Sequence, residues 1–85
     1  MTNLAQSAHG SDPAYYAAGI TASDSVDLAN PVRAIYVGGA GSVVITTVAG
    51  TDVTFSGLPA GMILPVRAKR VKATGTTATG LVGLW

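Results

Sequence analysis

From Ile20 onward the chain is a succession of short β-branched runs, each closed by a glycine or proline turn. That punctuation limits the fold more than any other feature, because the runs suit strands and are too short for core helices. Val32-Arg-Ala-Ile-Tyr-Val37 follows the turn pair Asn30-Pro31, and Gly38-Gly-Ala-Gly41 turns it into Ser42-Val-Val-Ile-Thr-Thr-Val48. Ala49-Gly50-Thr51 turns again into Asp52–Ser56, where Val53 and Phe55 alternate with Asp52, Thr54 and Ser56. Met62–Ala73 is the next extended stretch, and Pro65 inside it demands an edge, a bulge or a strand start. The polar loop Thr74–Thr79 precedes a final apolar strand, Gly80–Trp85. Roughly six short strands at this spacing predict an all-β fold, a small single-domain antiparallel β-sandwich or barrel.

Ahead of these runs, Asp12-Pro-Ala-Tyr-Tyr-Ala-Ala-Gly19 is predicted as a short helical turn. Asp12 would be its N-cap, Pro13 its first position and Gly19 its C-terminal stop. Residues 1–11 are small and polar without periodicity, and are expected to form a flexible N-terminal arm, leaving 12–85 as the β domain.

A chain of 85 residues buries only about 60–65% of its unfolded surface, so its core is thin. Small domains compensate with disulfides, metals or oligomerisation. With no cysteine, and His9 as the sole histidine, neither a disulfide nor a structural zinc is expected. Oligomerisation remains. Charged residues are 11% of the chain, against roughly 25% in an average soluble domain. Mean hydropathy is +0.45, yet no run of about 18 apolar residues could span a bilayer, and the start lacks the pattern of a secretory signal. So little charge predicts a surface hidden against partners. The alternative is a β protein that solvates itself through its threonine hydroxyls.

The charge that exists is segregated. Four of the five basic residues, Arg67, Lys69, Arg70 and Lys72, fall within six positions, while all four carboxylates lie at or before Asp52. In a regular strand Arg67, Lys69 and Val71 would share one face and Arg70 and Lys72 the other. A bulge near Arg70 would gather the charges and bury Val66, Ala68 and Val71. The stripe is read either as a guarded sheet edge or as a contact for an acidic protein surface. Phosphate backbone is the less favoured ligand, since no aromatic stacking platform lies between Phe55 and Trp85. Tyr15 and Tyr16 are adjacent, so in a helix only one could face the body. Trp85 reads as core or as an anchor on a partner.

No enzymatic chemistry is expected. Gly38–Gly41 is followed by strand sequence, not by the helix that a phosphate cradle needs. A nucleophilic triad needs a base held within hydrogen-bond reach, whereas His9 lies in the expected arm, and Asp24 and Asp27 sit in a turn-like stretch.

Taken together, Pro31-Val-Arg-Ala-Ile-Tyr-Val-Gly-Gly-Ala-Gly41, Val53-Thr-Phe-Ser-Gly-Leu-Pro-Ala-Gly61 and Leu64-Pro-Val-Arg-Ala-Lys-Arg-Val-Lys-Ala-Thr-Gly-Thr-Thr-Ala-Thr-Gly80 resemble the head spike-base proteins of alphaproteobacterial phages and gene transfer agents. Asp12-Pro-Ala-Tyr-Tyr16 and the closing Leu-Trp are similar as well, so the likeness covers residues 12–85. The resemblance implies a structural virion protein on the capsid surface, made in the bacterial host cytoplasm. It would form a homo-oligomeric ring on the major capsid protein, at a vertex, and anchor a spike fibre protein. No membrane, small-molecule substrate, cofactor or metal is implied, and no catalytic residue carries over. Arg67, Lys69, Arg70, Lys72, Tyr15, Tyr16 and Trp85 are the expected protein-interface residues. A capsid decoration or cement protein is the near alternative. A small β-barrel that binds single-stranded nucleic acid and a glycan-binding adhesin are the more distant ones.

Overall fold

The structure, a computed structural model, describes residues 13–85. Seven strands lie among them: β1 (Ala17–Gly19), β2 (Ala34–Val37), β3 (Gly41–Thr47), β4 (Asp52–Leu58), β5 (Met62–Leu64), β6 (Ala68–Lys72) and β7 (Val82–Leu84). They form two antiparallel sheets, one ordered β1-β7-β2-β5 and the other β4-β3-β6. The expected all-β fold is the one the chain adopts.

Alternation in the strands makes the core. Ile35, Val37 and Leu64 of the four-stranded sheet meet Val43, Ile45, Ala68 and Val71 of the three-stranded sheet, and Val32, Leu58, Ala78 and Leu81 close the cluster. The largest fully buried side chains are Ile35, Ile45, Val37, Val43 and Val71. This is a β-branched core with no fully buried ring, as thin as the chain's length requires.

Two features differ from the sequence reading. Within Pro13–Gly19 there is no helix, and Asp12 lies outside the described residues, as does the expected arm over 1–11. Ala17–Gly19 instead pairs with β7, and Tyr16 and Trp85 exchange main-chain bonds just beyond it. A one-turn helix carries the full nucleation cost for few bonds, so the ladder wins. The stretch Met62–Ala73 is also not one strand. It breaks at Pro65 into β5 and β6, which belong to different sheets. The proline cannot continue a ladder, and the chain turns there with Val66 N–H donating to Leu64 O.

The glycine loop after β2 is the expected turn. Its backbone crosses that of residues 79–80 in direct contact, with Gly39 and Thr79 exchanging main-chain bonds at 2.7 and 3.2 Å. A Cβ on Gly38 would stand 2.6 Å from Gly80 O, so the crossing admits no side chain.

Candidate interface surfaces

The basic stripe lies on β6 and the residue before it, Arg67. The pairing of β6 with β3 slips between Thr46 and Thr47: Thr46 faces Arg70, while Thr47 faces Ala68. Lys69 is therefore the extra residue of a β-bulge. The bulge lets Ala68 and Val71, three positions apart, both point into the core at 0% and 1% exposure. It also turns Arg70 and Lys72 onto the outer face of the three-stranded sheet, beside Thr46 and Asp52.

There the carboxylates meet the stripe. Arg70 Nε lies 2.7 Å from Asp27 Oδ1, and its guanidinium also donates to Asp24 O at 3.2 Å. Lys72 Nζ lies 3.1 Å from Asp52 Oδ2. Thr46 donates its hydroxyl to Asp52 Oδ1 at 2.7 Å, which satisfies a side chain that is buried under these charges. Asp24 accepts from both the backbone N–H and the hydroxyl of Thr74, at 2.9 and 2.6 Å. The Thr74 hydrogen bonds hold the Asp24 carboxyl below the usual carboxylate range. The Thr46 hydroxyl does the same for Asp52, with Lys72 adding to it.

The four basic residues of the stripe thus divide into two pairs. Arg70 and Lys72 are engaged within the chain, whereas the side chains of Arg67 and Lys69 meet no carboxylate among the described residues. Internal pairing leaves fewer uncompensated charges for a polyanion to neutralise. The border of β6 is also covered, since Ser23, Leu28 and Val32 donate main-chain bonds to Val71, Lys69 and Ala68.

The three aromatic residues singled out by sequence come together. Tyr16 stacks on Trp85 with centroids 5.8 Å apart, and Tyr15 meets Tyr16 edge-on at 4.8 Å. Tyr15 and Tyr16 are largely exposed, and Trp85 is half-buried against the core. Trp85 also borders a shallow groove of ≈ 350 Å³ whose other walls include Asn30, Pro31, Arg33, Val48 and Arg67. One end of the sandwich therefore combines aromatic surface with Arg67.

A further surface escaped the sequence reading. On the outer face of the four-stranded sheet, register places Gly19, Val82, Tyr36 and Ile63 in one row and Ala17, Leu84 and Ala34 in the next. No charge lies in either row, and Tyr36 and Ile63 are exposed by 39% and 54%. An outward sheet face is ordinarily polar, as the opposite face is here. The alternation of Tyr36 between Ile35 and Val37 carried this signal, but only the strand order gathers the row. Among the described residues no group of three His, Cys, Asp or Glu could hold a metal ion.

The sequence matches no family model, and no curated protein matches it. Among solved structures, a chain of the capsid of a native gene transfer agent particle, computed with fivefold symmetry, superposes with a TM-score of 0.81. The two chains are 45% identical, over 94% of this chain and 93% of the other.

Proposed function

This chain belongs to the same family as that protein of the gene transfer agent capsid, and we propose that, as a capsid-associated structural protein, it is the base of a head spike. In this reading copies of the chain form a ring on the major capsid protein at a vertex of the virion surface and anchor a fibre. The action is mechanical: a rigid β body holds a platform, and no catalytic step is involved. The single observation that supports the reading is the likeness, over nearly the whole of both chains, to a chain of a gene transfer agent capsid particle. A vertex position would require the ring of copies to share the axis on which it sits.

Arg67 and Lys69, with no carboxylate partner among the described residues, and the Tyr15–Tyr16–Trp85 cluster are the proposed contacts with other proteins. Arg70 and Lys72 join them through the outer face of the three-stranded sheet. Exposed ion pairs contribute only about 0–1 kcal/mol each, so charge sets orientation while apolar contacts and multivalency supply affinity.

Replacing Arg67 and Lys69 together by glutamate should leave the thermal melt unchanged and reduce occupancy on purified particles several-fold. Counting copies per particle by quantitative mass spectrometry, with the chain located by cryo-electron microscopy, tests the reading itself. A few copies at vertices support a spike base. Abundant copies spread over the shell indicate a decoration protein, and absence from particles ends both readings.

A further inference from the structure

The three-stranded sheet ends on β4, a seven-residue strand whose outer border meets no other main chain among the described residues. Register identifies the free groups. Thr47 N–H donates to Thr51 O where the hairpin closes, so alternation makes Ile45–Val53 and Val43–Phe55 the hydrogen-bonded pairs. The N–H and C=O groups of Asp52, Thr54 and Ser56 then point away from β3. No lysine, arginine or proline lies in β4 to deter pairing, although free edges are commonly guarded that way. Its inward side is incomplete as well. Ile45 is fully buried, yet its cross-strand partner Val53 is 37% exposed, and Phe55 is only half-buried beside fully buried Val43. The strand has the alternation of a covered element without the cover.

The opposite flank holds a second border that is unpaired among the described residues. Tyr16 and Trp85 exchange main-chain bonds, and Ile20 N–H donates to Leu81 O. By the same alternation Ala17 and Gly19 of β1 turn their main-chain groups outward. These residues are small, uncharged and exposed. The short turn from β4 into β5 puts β4 on the flank of β5, whereas the segment after β1 covers β6 on the other flank. Beside β4, β5 is only three residues long and is closed by Pro65. Both β1 and β4 start at the end of the sandwich marked by Trp85, so a rotation about the strand direction brings them side by side and parallel.

We infer that the free edge of β4 takes up β1 of a second copy of this chain, joining the three-stranded sheet of one copy to the four-stranded sheet of the next. Two different edges on opposite flanks make the contact head-to-tail, the kind that closes rings. The added strand supplies the missing main-chain partners. Its outer, uncharged face then continues the inward side of β4 and meets Val53 and Phe55. This deepens the ring-forming reading above and rests on it.

The test uses proline to remove outward N–H groups that no intrachain bond needs. Thr54→Pro blocks the β4 edge, and Gly19→Pro blocks the β1 edge at a position where an added Cβ meets nothing within 4 Å. By analytical ultracentrifugation the unaltered chain should form a closed oligomer, and each variant should be a folded monomer by circular dichroism. Mixed, the two variants each keep one working edge and should form a one-to-one dimer and nothing larger. If Thr54→Pro alters the melt, Val53→Lys at the overhanging position reads the same contact and should likewise give monomers. Oligomers unchanged by these substitutions overturn the inference, as does an unaltered chain that stays monomeric up to its solubility limit. A monomer found on particles would sink this contact and leave the capsid reading standing; an oligomer absent from particles would do the reverse.

Discussion

At the residue scale the notable groups are the carboxylates. Asp24 and Asp52 both titrate below the ordinary carboxylate value, Asp24 through Thr74 and Asp52 through Thr46 and then Lys72. A carboxyl whose folded pKa is depressed adds stability above its unfolded pKa, near ~3.9, and loses it as pH falls through the folded value. Stability should therefore be flat from neutral pH to about 5 and decline below about 4. Urea titrations at a series of pH values check this, and Thr46→Val with Thr74→Val should flatten the acid limb. The sequence displayed a basic stripe and distant carboxylates, which reads as two surfaces. Asp27 lies 43 residues before Arg70 and Asp52 lies 20 before Lys72, so only the fold could show that they neutralise each other. The meeting of Tyr16 with Trp85 was hidden for the same reason.

At the scale of single elements, β6 shows how one extra residue resolves a conflict. A regular strand would send Ala68 and Val71 to opposite faces, and a period-2 reading cannot bury both. The bulge at Lys69 buries both and leaves the cations outside. Deleting Lys69 would place Ala68 and Val71 two positions apart, on one face of a regular strand, so this variant should stay folded; deleting Val44 from the unbulged part of β3 should lower the urea midpoint far more, because a one-residue slip there sends Val43 or Ile45 outward. The spacing of small and apolar residues among the charges admitted a bulge near Arg70, but only the pairing with β3 establishes it. β1 was not legible. Asp12-Pro13 and Gly19 have the punctuation of a helix, and only the arrival of β7 alongside makes extended backbone the better state for residues 17–19. Pro65 gave its warning in sequence, but whether it marked a bulge or a change of sheet depended on where β2 and β3 lay.

At the scale of the whole molecule, one face is charged and polar, the opposite face is apolar, and two edges unpaired among the described residues lie on opposite flanks. Among the described residues the buried core is drawn from residues 32–81, so a chain lacking residues 1–11 should fold with an unchanged melting temperature. Calorimetry of the two forms checks this, and a loss of cooperativity would place the segment in the fold. What the sequence determined by itself was the class of structure. Short β-branched runs between glycine and proline turns leave few other solutions, and backbone preference and alternation act between near neighbours. Tertiary structure alone decided which strands share a sheet, which charges cancel and which apolar rows remain uncovered. Those outcomes depend on contacts between residues far apart in the chain, whose energies exist only once the backbone has brought them together.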